Sequence, residues 1–203
     1  MKHRPILDVS HLPSYGYGPA SPIWWGTLGF IVLESTGFLL AAGTYLYLAA
    51  VNPDWPLATP PPGLLWSTLI LAVLLASLWP NRMAKQDAEQ EDLGRTRRNL
   101  LVMSAVGLVL IGIRFLEFTT LNVRWDQNAY GSILWAILGL HTLHIITDVG
   151  DTLVLTALMF TRHGHGKRFS DVSDNAFYWD FVVASWVPLY VLIQGGPRLW
   201  PGG

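Results

Sequence analysis

Four side chains in one long apolar stretch are the residues of this chain best placed to do chemistry. Within Tyr130 to Phe160, His141, His144, Asp148 and Asp151 follow one another at spacings of three, four and three. On a helix those spacings put two imidazoles and two carboxyls on a single stripe. Groups of these types can pass protons, hold a metal through nitrogen and oxygen, or bond one helix to another. The stretch is long enough to cross a bilayer, where ionisable groups are costly and face protein, a polar cavity or a headgroup layer. Other charges sit in other apolar stretches. Glu34 lies about halfway along the first, and reads either as a site or as a hydrogen-bonded packing residue. Arg114 and Glu117 are at i,i+3 and can pair; an Arg near a membrane boundary also suits a lipid phosphate. Asp180 stands near the start of the last stretch.

The elements that must carry these groups follow from composition and hydropathy. Of 203 residues, 51% are apolar and 13% charged, about half the charged share of soluble proteins. Ten Trp and a mean hydropathy of +0.36 agree with a polytopic membrane protein. With no cysteine there is no disulfide, thiolate metal site, iron–sulfur cluster or cysteine nucleophile. No basic face suggests nucleic acid. Residues 1–22 form a Pro-rich arm, either a flexible tail or a strap on a neighbouring subunit, and nothing in it resembles a cleavable signal peptide. The rest, 23–203, is expected to be one all-α domain, a bundle of five transmembrane helices at about 23–51, 64–79, 99–121, 130–160 and 177–194.

The loop from Asn52 to Gly63 holds five prolines and cannot continue a helix. The second span ends at Pro80-Asn81 and shows no chemistry, and the charged Arg82 to Arg98 reads as a solvated loop or short surface helix. His163 and His165 fall in a flexible turn. Ten Lys and Arg lie in the arm and the second-to-third and fourth-to-fifth loops, against Arg124 and Arg198 on the other side. The amino terminus is therefore expected in the cytoplasm and the carboxyl terminus outside.

Most catalytic readings fall away. Of six histidines, His141 and His144 alone lie in spans, too few for a histidine-rich membrane hydroxylase. A metal held by them with Asp148 and the two glutamates, or a haem on one histidine, stays open as an autonomous-enzyme alternative. No phosphate-binding loop, dinucleotide fingerprint or Ser-His-Asp arrangement stands out, and no paired halves suggest a transporter.

Several stretches resemble subunit III of the heme–copper terminal oxidases, in the shorter form without the first two of seven helices. Tyr130-Gly131-Ser132 followed by Gly139-Leu140-His141-Thr142-Leu143-His144 is similar to the family's YGS…GFHGLHV segment. Tyr178-Trp179-Asp180-Phe181-Val182 through Trp186 resembles its YWHFVDVVW signature. Leu33-Glu34-Ser35, Gly107 to Phe118 with Glu117 at the family's Glu, and the Pro-rich loop match in order. Asp180 stands where the family has His, Val183 where it has Asp, and Arg114 where it has Gln; Asp148 and Asp151 are extra acids.

The resemblance implies an accessory subunit without a redox centre of its own. It would support lipid binding, complex stability and proton uptake by the catalytic subunit. Heme and copper are expected in partner subunits, and bound phospholipid in this one. Expected partners are catalytic subunit I and other subunits of a terminal oxidase, with a larger respiratory supercomplex left open. The expected location is a bacterial inner membrane. Glu34, Glu117, His141, His144, Asp148, Asp151 and Asp180 become the intramembrane polar, proton-related set, and Arg114 and Trp179 the lipid contacts. The runner-up is an accessory subunit of a nitric oxide reductase. The electron donor, cytochrome or quinol, is left undecided.

Overall fold

The computed structural model describes residues 15–199. Five long helices account for most of them: α1 (Pro22–Val51), α2 (Leu64–Glu89), α3 (Leu93–Thr119), α4 (Ala129–Met159) and α5 (Lys167–Tyr190). All five are long and apolar enough to span a membrane, and no strand occurs among the described residues. A π-helical turn, Val191–Gly195, and a short helix, α6 (Gly196–Leu199), end the described residues.

Local chemistry sets the ends. Ser21 accepts a hydrogen bond from Ile23 N at 3.3 Å, with Pro22 at the first helical position of α1, where its missing N–H costs nothing. Asp92 caps α3 by accepting from Arg95 N at 3.0 Å, and Asn128 caps α4 by accepting from Gly131 N at 2.8 Å. Gly131 is required here, because a Cβ would run into the carbonyl oxygen of Arg124 in the loop crossing over it.

Helices α2, α3, α4 and α5 form a ring, each touching its two neighbours, and α1 lies outside it against α4 and α5. The core between them includes Ile70, Leu74, Leu110, Leu134, Ile137, Val182 and Trp186. The buried side of α1 is one narrow seam, Phe38, Tyr45 and Ala49, and the rest of that helix is open. At one end the Pro-rich loop tucks Trp55 edge-on against Tyr45 and Tyr130, ring centroids 5.2 Å from each. The opposite end carries the α2–α3 and α4–α5 turns with their Lys and Arg, and is called the basic end below.

Three helices depart from their expected bounds, and one physical reason accounts for their added length. The second helix does not stop at 79 but runs through Pro80 to Glu89; the third begins at Leu93 rather than 99 and ends at Thr119; the fifth begins at Lys167 rather than 177. A proline inside a helix costs about 3 kcal/mol. Here the face beyond it is buried, with Asn81, Ala84, Asp87 and Ala88 packed in the bundle. Asn81 Nδ2 also donates to Ala176 O at 2.8 Å and to Asp180 Oδ1 at 3.0 Å, tying α2 to α5. The charged 82–98 segment is thus a helical hairpin with a second apolar cluster of Ala88, Leu100, Leu155, Met159, Phe169 and Val172. Hydropathy marks where a helix leaves the apolar layer, not where it ends.

Residues 1–14 of the arm lie outside the described residues. Its last part packs on this chain: Tyr15 and Tyr17 donate to Glu91 Oε1 at 2.8 and 3.2 Å, and Ser170 Oγ donates to Gly16 O at 2.6 Å. The bond to the Glu91 carboxylate raises the Tyr15 phenol above its ordinary pKa; for Tyr17 burial is the larger cause and Glu91 the next.

Candidate functional site

The stripe on α4 is real, but its members join different networks. His141, His144 and Asp148 are buried, while Asp151 is exposed. One network lies inside the ring. Arg114, 1% exposed, donates through Nη1 to Glu117 Oε2 at 2.5 Å, one turn on along α3. Ser67 of α2 donates to the other oxygen of Glu117, and Gln194 Nε2, in the π-helical turn, donates to Ser67 Oγ at 2.8 Å. Gln194 Oε1 accepts from Arg198 at 2.7 Å. Arg114 Nη2 lies 2.9 Å from His141 Nδ1.

A guanidinium only donates, so Nδ1 of His141 accepts and carries no proton. The ring proton is then on Nε2, which donates to Val182 O at 3.0 Å. His141 is therefore the neutral Nε2–H tautomer, with both nitrogens taken by protein groups. Trp186 stacks on its ring at 4.6 Å and lies under the Arg114 guanidinium at 4.2 Å. One buried cation, one carboxylate and four neutral partners make a nearly closed set; Arg114 Nε and Trp186 Nε1 lack an acceptor.

The second network faces α1. Glu34 Oε2 accepts from Tyr178 OH at 2.7 Å, and Glu34 Oε1 is 3.1 Å from His144 Nε2. Nδ1 of His144 donates to Leu140 O at 2.6 Å, which orients the ring towards Glu34. The His144–Glu34 approach is close enough for an ion pair but not aligned as a hydrogen bond, so Nε2 keeps no directional partner. The Phe38 ring sits 4.7 Å from His144 and 6.2 Å from His141, an apolar spacer between the networks.

Towards the basic end, Asn175 donates to Asp148 Oδ1 at 2.9 Å and accepts from Thr152 at 3.0 Å. Asp148 Oδ2 is buried without a partner. Glu34, Asp148 and Asp151 line a cleft of 630 Å³ between α1, α4 and α5, together with Asp171 and Asp174.

Sequence reading placed the other expected residues less well. Asp180 joins neither network and bonds Asn81 on α2. Arg114 and Trp179, the expected lipid contacts, are 1% and 2% exposed; Trp179 donates to Ser77 Oγ at 2.8 Å, so both are bonded inside the bundle and neither faces lipid. The second helix, expected to hold no chemistry, supplies Ser67 and Ser77. Ser67, Gln194, Asn175 and Tyr178 were missed as site residues. Of these, Tyr178 alone had a signal, as the first residue of a quoted motif. Among the described residues no group of three or more His, Asp or Glu is placed to hold a metal.

Comparison with known proteins gives a consistent family. The family model described as "Cytochrome c oxidase subunit III" matches residues 23–195. A cytochrome c oxidase subunit 3 of Thermostichus vulcanus is 25% identical over 171 residues, 83% of this chain and 84% of that protein. One from a Synechocystis species is 27% identical over 173 residues, 83% of this chain and 73% of that protein. A probable cytochrome c oxidase subunit 3 of Mycobacterium tuberculosis is 26% identical over 182 residues, 82% and 86% of the two chains.

Proposed function

Because the chain belongs to the cytochrome c oxidase subunit III family, we propose that its two buried networks divide the work of an accessory subunit. The chain is a multi-pass membrane protein and an accessory subunit of a heme–copper oxidase, associated with other oxidase subunits. The family match across all five helices carries that statement.

The finer reading is ours. The inner network of Arg114, Glu117, Ser67, Gln194 and His141 is structural: it locks α2, α3, α4 and the end of α5 in register. A buried ion pair seldom adds stability over an apolar core, but losing one partner of it costs about 3–5 kcal/mol, so it enforces one arrangement. The outer network of Glu34, Tyr178 and His144 exchanges protons. Its support is the open end: Glu34 is partly exposed, lines the cleft with Asp148 and Asp151, and holds His144 by proximity rather than a directed bond. Asp180 belongs to the structural set through Asn81. With the basic end in the cytoplasm, as the Lys and Arg count favours, the cleft opens on the side from which protons are taken up. Haem and copper reside in the partner subunits, catalytic subunit I among them, and the membrane is a bacterial inner membrane holding phospholipid against the open face of α1.

Gentle purification through a tag on this chain tests the assignment. Haem and copper spectra carried by larger co-purifying subunits, and lost when this chain is stripped away, are expected. Metal or haem staying with the isolated chain would overturn it. In the intact complex, Glu34→Gln is expected to slow sustained oxygen turnover while the haem spectrum stays unchanged.

A further inference from the structure

Asp151 is an acid on the outside of a membrane helix. Leu143, Thr147, Asp151 and Val154 follow one another at spacings of four, four and three, and all four are exposed. With 31 residues α4 is about 46 Å long, while the hydrocarbon of a bilayer is about 30 Å thick. Centred in that layer, α4 carries Asp151 about 4 Å inside its edge on the basic side. A carboxylate there is costly, and its short side chain cannot reach back to the headgroups as a Lys can.

Nothing in the chain answers that charge. Among the described residues Arg168 is the one cation on the cleft that Asp151 borders, and Asp171 already holds it at 2.8 Å. Two further acids behind Asp151 share the deficit. Asp148, one turn back on α4, is 1% exposed, and its Oδ2 has no donor. Asp174 of α5 is 4% exposed, and neither of its oxygens has one. Buried acceptors without donors are rare and costly. The described acids are not grouped to hold a metal ion. The surface beside Asp151 is also shaped for close approach. Gly150 next to it, and Gly26 on the rim that α1 forms, have nothing within 4 Å of where a Cβ would be. In a membrane, small residues of this kind let the backbone of a second helix come near.

We infer that a transmembrane helix of a neighbouring oxidase subunit lies along this face of α4, and that a Lys or Arg on it pairs with Asp151. Asp148 and Asp174 add to the attraction from behind. The charge also selects the partner: a wholly apolar helix would bury Asp151 without a counterion, which costs more than it gains in packing. The inference rests on the oxidase-subunit assignment above. It is independent of the proton reading of Glu34.

Photocrosslinking in native membranes tests it, with p-benzoylphenylalanine in place of Val154, one turn from Asp151, in the whole oxidase complex. The expected adduct joins this chain to another subunit of the complex, through an apolar peptide that contains a Lys or Arg. Asp151→Lys is expected to lower the yield of that adduct about tenfold or more. Changing the partner's Lys or Arg to Glu in the Asp151→Lys background is expected to restore it. Gly150→Phe blocks close approach without touching the acids and is expected to lower the yield as well, which keeps the test decisive if the Asp151 variant assembles poorly. Adducts with phospholipid only, a partner peptide with no cation, or a yield that survives both substitutions would overturn the inference. Haem and copper that still co-purify with this chain would show that the oxidase assignment stands when the pairing fails.

Discussion

One turn of α4 separates two histidines with opposite surroundings. His141 has a partner on each nitrogen, a stacked Trp186 and a guanidinium beside it. His144 has one directed bond, to the backbone of its own helix, and its other nitrogen only lies near a carboxylate. The same contrast runs through the carboxyls: Glu117 is bonded on both oxygens inside the ring, while Asp148 leaves one oxygen free in a cleft. Residues of one type at helical spacing can thus have unlike roles, and what separates them is the helix they face. The stripe points His141 at α3 and α5, and His144 at α1, the helix with the least buried surface.

The largest effect should come from opening the closed network. Glu117→Gln leaves Arg114 charged and buried without its counterion, and is expected to cost about 3–5 kcal/mol. Thermal unfolding of the purified complex, or failure to recover this chain with it, checks that outcome. Gly131→Ala comes next. Its methyl group meets the backbone of Arg124, which cannot move aside cheaply, and about 1–3 kcal/mol is expected in the same assay.

The open network should respond differently. Glu34→Gln keeps the volume and the acceptor for Tyr178, so stability should change by less than about 1 kcal/mol. What should fall is turnover sustained over many cycles. A loss of stability like that of Glu117→Gln would erase the contrast. Least affected should be the loop at the end away from the basic turns. The hydrogen bond from Arg124 holds the Asp126 carboxyl below its ordinary pKa, so any stability it gives is present above the ordinary value and is lost as pH falls through the lowered one. The pair is solvent-exposed and screened, and Asp126→Asn is expected to leave the melting temperature unchanged at neutral pH.

The five spans, the stripe on α4 and the Arg114–Glu117 pair were legible in the sequence because each is a local pattern: apolar length, helical period, i,i+3 spacing. The partners of those residues were not. Ser67 lies 50 positions from Glu117 and Gln194 lies 127 from Ser67, and a lone Ser or Gln in an apolar helix carries no period that would single it out. Asn175 and Asp174 lay in a stretch too polar to count as a span, although that stretch is the first part of α5. Asp180 was grouped with the stripe because it too is an acid in an apolar run. Its bond to Asn81 depends on α2 continuing past Pro80, which propensity argues against and tertiary packing supplies. Arg114 suited a lipid phosphate by its position along the chain, but the direction of its side chain, inward to His141 and Trp186, depends on how the helices are arranged around it.

The division between a locked and an open network is tested most directly by measuring two quantities on Glu34→Gln and Glu117→Gln complexes side by side. These are the melting temperature and the oxygen consumed per haem over prolonged turnover. The account predicts that Glu34→Gln keeps the melting temperature and the haem spectrum but loses sustained turnover, while Glu117→Gln loses thermal stability first. Glu34→Gln complexes that melt early yet turn over normally per haem would contradict it, and both networks would then be structural.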